Sequence, residues 1–310
     1  MKLTIEGLTK TYSNGVQALR DVTLTIPQGM FGLLGPNGAG KSSLMRTIAT
    51  LQEADSGHIR LEDTPHGTID VLRQKDAIRR VLGYLPQEFG VYPKISAETM
   101  LDHIAGLKGI SNSRERKLLV DALLEKVNLA HVKKKNLGTF SGGMKQRFGI
   151  AQALIGNPSL IIVDEPTAGL DPAERNRFHN LLSEIGENTV VILSTHIVED
   201  VTNLCSDMAI ISLGNVIAQG HPADLVAGIQ GKIWRKIIEK AELDTYRANH
   251  QVISTQLKGG KTQIHIYSDS PQLGFEPIEA DLEDVYFSKI TSHQELGRGR
   301  PSGDELRVKN

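Results

Sequence analysis

The residues best suited to chemistry form a glycine-rich segment near the start of the chain. The segment reads Gly35-Pro36-Asn37-Gly38-Ala39-Gly40-Lys41-Ser42. It fits the phosphate-loop pattern, which requires a buried strand before the loop and an apolar helix after it. Its glycines let consecutive backbone N–H groups turn toward phosphate oxygens at the positive end of the helix. We expect Lys41 to reach the β and γ phosphates of a nucleotide and Ser42 to bind Mg²⁺, unless the segment is a simple glycine turn.

Two carboxylates and one imidazole follow later apolar runs. Asp164 and Glu165 come directly after residues 160–163, and His196 closes the stretch that begins with residues 190–193. One carboxylate can order the coordination shell of Mg²⁺ while its neighbour faces the attacking water. His196 could contact the γ phosphate and keep that water aligned with Glu165, although a lone histidine is often only a structural hydrogen-bonding group. Together these side chains predict phosphoryl transfer to water.

Buried strands must position these groups. Residues 30–34, 160–163 and 190–193 are continuously apolar, as strands covered on both faces of a parallel sheet are. Polar residues at the ends of such strands indicate a site there. Residues 2–27 instead alternate around a turn at 13–15, which predicts antiparallel strands. Residues 97–107 and 115–129 carry apolar side chains at helical spacing, Leu107 and Leu118 among them, which predicts an inserted helical subdomain.

These patterns predict an α/β fold with two domains. Residues 1–220 form a phosphate-loop NTPase core with an antiparallel β subdomain and an inserted helical subdomain at about residues 88–158. Residues 221–292 form a small α+β accessory domain. We expect strands at 232–239 and 263–267, a helix at 280–290, and Trp234 as the anchor of that domain's core. Residues 293–310 contain mainly glycine, proline and polar or charged residues, so we expect them to be disordered.

Composition argues against several classes of protein. The chain of 310 residues has a formal net charge of -1, without the basic excess that neutralises nucleic-acid phosphates, so no nucleic acid is expected as a partner. Its only cysteine, Cys205, lies in an apolar stretch and is expected to be a buried hydrophobic residue in a reducing compartment. Residues 1–6 lack a leader pattern, and no run approaches the roughly 18 apolar residues that cross a bilayer. We therefore expect membrane association only through a partner.

A segment just before the carboxylate strand narrows the class of ATPase. It resembles the signature segment of the ABC family and reads Phe140-Ser141-Gly142-Gly143-Met144-Lys145-Gln146-Arg147. The resemblance implies that Ser141, Gly142 and Gly143 bind the γ phosphate of ATP held by the opposite subunit, so that only a dimer completes the site. The family usually has Leu and Gln where Phe140 and Met144 stand, and this difference affects flanking contacts. A helix N-cap at Ser141 is the simpler alternative.

Other positions match the ABC family in order over roughly residues 1–220. The resemblance implies that Tyr12 stacks on adenine, that Ser43 joins the ATP-binding residues, and that Gln87 contacts Mg²⁺ and water and senses the membrane partner. It also implies that residues 168–171, which end in Asp171, form the loop that crosses the dimer. Taken singly, Tyr12 is also typical of strand packing, Gln87 of an ordinary loop amide, and Asp171 of an Asx-Pro turn.

The family resemblance as a whole implies a motor subunit of an ABC transporter. Such a subunit binds ATP and Mg²⁺ and hydrolyses ATP at the cytoplasmic face of the membrane. Its expected partners are a second copy of itself and a separate integral membrane permease. Residues 88–110 and 282–287 are similar to the stand-alone ATPases of drug, antibiotic or polysaccharide exporters, so we expect export of an unknown substrate. The alternatives are an importer ATPase and a soluble ABC ATPase of translation or DNA repair.

Overall fold

The computed structural model describes residues 1–65, 67–87, 90–167 and 170–297, with side chains described as far as residue 294. Within these ranges the chain forms two compact units, one of residues 1–216 and one from residue 217 onward. The division falls inside the strand Asn215–Gly220, whereas the predicted boundary stood at the end of this strand. Residues 298–310, the larger part of the segment predicted to be disordered, lie outside the described residues.

The elements of the first unit follow the predicted succession of strands, loops and helices. Its strands are β1 (Lys2–Thr11), β2 (Gln17–Pro27), β3 (Gly29–Leu34), β4 (Ser56–Thr64), β5 (Gly67–Asp70), β6 (Leu82–Leu85), β7 (Leu160–Asp164), β8 (Val190–Thr195), β9 (Asp207–Ser212) and β10 (Asn215–Gly220). Its helices are α1 (Lys41–Ile48), α2 (Lys75–Val81), α3 (Ala97–Leu107), α4 (Ser113–Lys126), α5 (Gly142–Ala153), α6 (Pro172–Gly186) and α7 (Val198–Leu204).

The first sheet is antiparallel, with the strand order β2-β1-β4-β5. Its alternating sequence has the expected consequence, because Leu24 and Ile26 of β2 are buried while Thr25 between them is exposed. A tight turn joins β1 to β2, in which the Tyr12 N–H donates to the Val16 carbonyl at 2.9 Å. The predicted antiparallel entry of the chain is therefore confirmed.

The second sheet has the order β10-β9-β3-β8-β7-β6, and its strands run parallel from β9 to β6. Every residue of β7 and β8 is buried, as their apolar runs predicted. The register places Leu34, the last residue of β3, beside Thr195 at the end of β8. Asp164, the last residue of β7, lies beside Ser194. The loops after these three strands therefore start at one edge of the sheet, and the α/β prediction is confirmed.

Helices α3 and α4 form the predicted helical insertion. Helix α3 covers the predicted residues, and α4 begins slightly earlier than predicted because the Asn112 side chain caps its first turn. Leu107 and Leu118, expected on the apolar faces, are instead 75% and 67% exposed. Leu107 is the last residue of α3, and Leu118 points about 200° around α4 from the buried Val120.

Helix α7 packs closely on β3 because position 32 has no side chain. A Cβ added to Gly32 would lie 2.8 Å from Val201 Cγ1 and 3.2 Å from Cys205 Sγ. Cys205 is 7% exposed and is the buried hydrophobic residue that the sequence predicted. Burial raises the pKa of its thiol far above the usual range, so the thiol stays protonated.

The second unit is a small α+β fold. Its strands are β11 (Ile233–Ile238), β12 (Gln251–Lys258), β13 (Lys261–Tyr267) and β14 (Glu276–Pro277), in the order β12-β13-β11-β14. Its helices are α8 (Pro222–Ala227), α9 (Leu243–Asn249) and α10 (Leu282–Gly297). Trp234 packs with Ile264 and Ile266, and its indole N–H donates to the Ser268 carbonyl at 3.1 Å. Trp234 therefore anchors this core, as predicted.

Helix α10 is longer than the sequence analysis predicted. It continues to Gly297, so residues 293–297, expected to begin the disordered tail, are helical. Residues 293–296 contain neither glycine nor proline, so nothing in their composition breaks the helix. In the described ranges, none of the helices combines the length and the apolar character needed to cross a bilayer.

Candidate functional site

The phosphate-loop segment and the ends of the central strands border a cleft of about 840 Å³. The cleft gathers predicted residues from distant parts of the first unit. Its lining comprises Tyr12, Gly15, Val16, Gln17, Ala18, Arg20, Pro36, Asn37, Gly38, Ala39, Gly40, Lys41, Ser42, Ser43, Gln87, Glu165, Leu213 and Gly214. The cleft is therefore large enough and polar enough for a nucleotide.

The phosphate-loop backbone requires glycine at defined positions. Gly38 and Gly40 have φ angles of 78° and 111°, in the left-handed region. A Cβ added to Gly40 would also lie 2.5 Å from the Ala18 carbonyl oxygen, and one added to Gly35 would lie 2.5 Å from the Ile211 carbonyl oxygen. Helix α1 begins directly after Gly40, and no side chain of the described residues caps its first turn. Its N-terminal N–H groups can therefore bind an anion.

Lys41 lies buried beneath this loop. Its ammonium donates to the Gly35 carbonyl at 2.6 Å and to the Pro36 carbonyl at 3.2 Å, and it lies 3.8 Å from Glu165 Oε1. Burial lowers the pKa of the Lys41 ammonium, whereas the nearby carboxylates of Glu165 and Asp164 raise it. A buried cation held mainly by carbonyl groups is suited to exchange them for phosphate oxygens.

Glu165 lies between three predicted residues, Lys41, Gln87 and His196. Its Oε1 is 3.2 Å from His196 Nδ1, and its Oε2 accepts a hydrogen bond from Gln87 Nε2 at 3.1 Å. The Glu165 backbone has φ 48°, a left-handed conformation that costs a non-glycine residue about 1–2 kcal/mol. A hydrogen bond of 2.8 Å from its N–H to the Ser194 carbonyl helps to hold this conformation. The carboxylate is thereby aimed from the end of β7 into the cleft.

Asp164 is suited to bind a cation. It is 4% exposed, and its Oδ1 has no hydrogen-bond partner in the described part of the chain. Burial raises the pKa of this carboxyl, and the neighbouring Glu165 charge raises it further. Among the described residues no cluster of three or more His, Cys, Asp or Glu side chains could hold a metal alone. Ser42, Gln87 and Asp164 therefore fit Mg²⁺ only together with phosphate oxygens and water, which is how Mg²⁺ is usually bound.

Tyr12 lines the cleft beside the first turn of α1. Its hydroxyl lies 2.9 Å from Ser43 Oγ and donates to Gln52 Oε1 at 3.1 Å. Gln52 in turn donates to the Ser43 carbonyl at 2.8 Å and to Thr47 Oγ1 at 2.9 Å. Sequence reasoning missed Gln52, which shows no motif and lies in the segment after the helix. The hydrogen bonds fix the ring at the mouth of the cleft.

Other cleft residues were also absent from the sequence predictions. They come from the turn between β1 and β2, from β2, and from the turn between β9 and β10, where the Gly214 N–H donates to the Ala39 carbonyl at 2.9 Å. The Gly214 carbonyl then accepts from the Arg20 N–H at 2.8 Å. This turn therefore braces the phosphate loop from outside. A Leu-Gly pair between two apolar runs was the only local signal for it.

The predicted signature residues lie elsewhere on the chain. In the part of the chain that the structure describes, the residues that line the cleft do not include Ser141, Gly142 or Gly143. Ser141 caps α5, its Oγ accepting from the Met144 N–H at 3.2 Å, and Ser141 and Gly142 are exposed. Asp171 caps α6 by accepting from the backbone N–H of the residue three positions later at 2.8 Å. Residues 168 and 169 of the predicted dimer-crossing loop lie outside the described residues.

Comparison with known proteins gives a consistent assignment. The family model described as ABC transporter matches residues 19–168. The chain is 31% identical to the uncharacterized ABC transporter ATP-binding protein YxlF of Bacillus subtilis, over 93% of this chain and 99% of that protein. It is 33% identical to the daunorubicin/doxorubicin resistance ATP-binding protein DrrA of Streptomyces peucetius, over 88% of this chain and 82% of that protein.

Solved structures agree with this assignment. The ATP-binding cassette MJ0796, solved as a dimer in a post-hydrolysis state with ADP and Pi, matches with a TM-score of 0.63 and 26% identity. The match covers 71% of this chain and 98% of that one. An ATP-binding subunit of an ABC transporter matches with a TM-score of 0.64 and 29% identity, over 74% of this chain and 93% of that one. Because a curated relative aligns along nearly its whole length, the chain belongs to the ATP-binding proteins of ABC transporters, a family of ATP-hydrolysing subunits.

Proposed function

We propose that two copies of this chain close around two ATP·Mg molecules and thereby power export through a separate membrane permease. The main support for this proposal is that the predicted ATP-binding residues lie in two separate places on one chain. The cleft holds the phosphate loop, Gln87 and Glu165, whereas Ser141 and Gly142 are exposed away from it. A second copy can bring its exposed segment to the open side of the cleft, and the dimeric state of the MJ0796 neighbour supports this arrangement.

Hydrolysis follows from the groups around the γ phosphate position. Glu165 polarises the attacking water, and Gln87 and His196 hold its carboxylate in place. Lys41 and the N-terminal N–H groups of α1 stabilise the charge that spreads over the phosphate oxygens. Ser42, Gln87 and Asp164 would hold Mg²⁺, which would neutralise part of the phosphate charge when bound.

Export is the direction that the relatives support. DrrA is named for daunorubicin and doxorubicin resistance, and LnrL of Bacillus subtilis, 34% identical over 74% of this chain and 72% of that protein, for linearmycin resistance. We infer that this chain serves a permease that moves a compound of comparable drug-like or antibiotic character out of the cell, from the cytoplasmic face of the membrane. ATP drives such a permease only through preference for the closed dimer, and near-complete switching needs about 5.5 kcal/mol.

The shared-site proposal is tested by mixing two inactive variants. Lys41→Ala removes the phosphate-loop cation, and Ser141→Arg blocks the exposed segment. In a mixed dimer one site joins the intact loop of one copy to the intact segment of the other. We expect each variant alone to be inactive and the mixture to recover up to about a quarter of wild-type ATP turnover, since half of the dimers carry one intact site. No recovery on mixing would contradict a site shared between copies.

The role of Glu165 has a separate test. Glu165→Gln keeps the shape of the side chain but replaces one carboxylate oxygen by an amide nitrogen, which removes its basicity. We expect this variant to bind ATP and remain dimeric without turnover, whereas Lys41→Ala loses ATP binding. Sedimentation with and without ATP measures whether each variant forms the ATP-bound dimer. Phosphate release by Glu165→Gln at the wild-type rate would show that Glu165 is not the general base.

The permease and the direction of transport require the protein in its own membrane. Affinity purification of the tagged chain from detergent-solubilised host membranes should recover a multi-span membrane protein in stoichiometric amount. Dependence of transport on an external binding protein would instead indicate an importer. Recovery of ribosomal or DNA-repair proteins without a membrane chain would favour the soluble alternatives.

A further inference from the structure

A second buried polar cluster lies next to the cleft, centred on Asp200 of helix α7. Asp200 has 0% exposure. Its Oδ2 accepts from Thr167 Oγ1 at 2.6 Å and from Thr195 Oγ1 at 3.3 Å. Its Oδ1 is hydrogen-bonded to His179 Nε2 at 3.0 Å and lies 3.8 Å from Arg175 Nε. We name these five residues the Asp200 cluster.

The two hydroxyl groups of the cluster belong to the segments that contain Glu165 and His196. Thr167 stands two positions after Glu165, and Thr195 stands immediately before His196. Both threonines are 1% exposed. Thr195 Oγ1 additionally accepts from the Ile197 N–H at 3.0 Å, so the chain is fixed on both sides of His196. One carboxylate oxygen therefore sets the spacing between the two segments.

A carboxylate without exposed surface is costly unless hydrogen bonds compensate for its lost hydration. Asp200 is compensated by partners from three separate parts of the chain, namely the loop after β7, the end of β8 and helix α6. Helix α6 is also the helix that Asp171 caps. The cluster thus joins the loop after Glu165, the residue before His196 and the helix that begins at the proposed dimer contact.

We propose that Asp200 is a positioning residue for hydrolysis, which acts through Thr167 and Thr195 to hold Glu165 and His196 at their observed separation of 3.2 Å. This inference rests on the proposed roles of Glu165 and His196. Neither Asp200 nor the two threonines line the cleft among its described residues, so their effect is on the turnover of bound ATP rather than on its binding. A small displacement of catalytic groups is enough to slow a reaction strongly.

The test uses matched substitutions in the full-length chain. Thr167→Val keeps the shape of the side chain and removes the hydroxyl that makes the shortest bond of the cluster, whereas Thr167→Ser keeps the hydroxyl. We expect Thr167→Val to lower kcat for ATP by about ten- to a hundredfold with KM for ATP within about twofold of wild type. We expect Thr167→Ser to keep most of the wild-type kcat. Thr195→Val repeats the test should Thr167→Val fail to fold.

Controls separate positioning from general stability. In the second unit His265 Nδ1 lies 2.8 Å from Asp284 Oδ1, a pair outside the catalytic machinery in which Asp284 is buried and His265 partly buried. Asp284→Asn should lower the midpoint of thermal unfolding of the second unit without lowering kcat. A wild-type kcat in folded Thr167→Val and Thr195→Val, a rise in KM in place of a fall in kcat, or equal losses in Thr167→Val and Thr167→Ser would each overturn the inference.

Glu165→Gln, measured in parallel, distinguishes a failure of the proposed function from a failure of the positioning role of Asp200. If Glu165→Gln is inactive while folded Thr167→Val turns over normally, the proposed function stands and the positioning role fails. If Glu165→Gln turns over at the wild-type rate, the proposed role of Glu165 fails, and the positioning role that depends on it is overturned with it.

Discussion

Alanine substitutions at two adjacent glycines can separate folding from contact with a second copy. A Cβ added to Gly142 meets no heavy atom within 4 Å, and the residue is the first of helix α5. A Cβ added to Gly143 would lie 2.8 Å from Glu174 Oε2 and 2.9 Å from Glu174 Cδ. The same chemical change therefore has opposite steric consequences inside one chain.

The expected stabilities follow from this geometry. Gly142→Ala should stabilise the nucleotide-free chain by about 0.5–1 kcal/mol, because alanine restricts the unfolded chain and fits a helical backbone. For a unit of this size the gain raises the unfolding midpoint by about 1–4 °C. Gly143→Ala must displace the Glu174 side chain, whose Oε2 lies 3.5 Å from Arg147 Nε. Since that side chain can move, we expect a loss of about 1 kcal/mol, at the low end for overpacking.

ATP turnover should not follow stability. If Gly142 faces the γ phosphate of ATP bound by a second copy, its new methyl group occupies space that the phosphate needs. We therefore expect Gly142→Ala to lower kcat by at least about tenfold, although it is the more stable protein. Thermal unfolding without nucleotide and steady-state phosphate release measure the two quantities. A Gly142→Ala protein that is stabilised and turns over ATP normally would refute the approach of a second nucleotide to this residue.

Three further outcomes are expected. Gly40→Ala should abolish ATP binding measured by calorimetry, because its φ of 111° and the carbonyl oxygen 2.5 Å from the added Cβ exclude a side chain; wild-type affinity would contradict the loop geometry. Asp164→Asn should abolish turnover yet stabilise the nucleotide-free chain at pH 7. Because burial raises the folded pKa of this carboxyl, its ionised form opposes folding above that pKa, so the gain should disappear as the pH falls to about 4. If Asp164→Asn remained more stable than wild type at low pH, its added stability would have a cause other than the raised pKa of Asp164. Lys108→Met should lower the free energy of unfolding in urea by about 1–3 kcal/mol, because Lys108 Nζ donates to the carbonyls of Arg79 and Leu82 at 2.8 Å each. Unchanged stability would show that water can replace the ammonium group at these carbonyls.

The sequence predicted the parts of the fold that have a local signal. The apolar runs before Gly35, Asp164 and His196 identified the central strands, because strands buried on both faces cannot tolerate polar residues. Helix α3 was predicted to the residue, and α4 within three residues at either end. Strand β12 and the short helices α8 and α9 were missed, since half or more of their residues are exposed and their sequences show no clear apolar period.

The candidate site was predictable only where a motif carries the chemistry. Spacing and family resemblance singled out Lys41, Gln87 and Glu165, and in the structure Lys41 lies within ion-pair reach of Glu165 and Gln87 donates a hydrogen bond to it. Gln52 and Asp200 were not predictable, because each acquires its partners from segments that are distant in sequence. A polar residue in a short helix has the same sequence pattern whether it faces solvent or a buried hydroxyl.

The buried thiol of Cys205 has a practical consequence for spectroscopy. It is the only cysteine of the chain, it is 7% exposed, and its raised pKa keeps it in the unreactive protonated form. Maleimide reagents should therefore leave the folded native protein almost unlabelled. A single cysteine introduced at the exposed position Leu118 would accept a fluorophore or spin label without removal of the native thiol. Energy transfer between two such labels can then report the approach of two copies on addition of ATP.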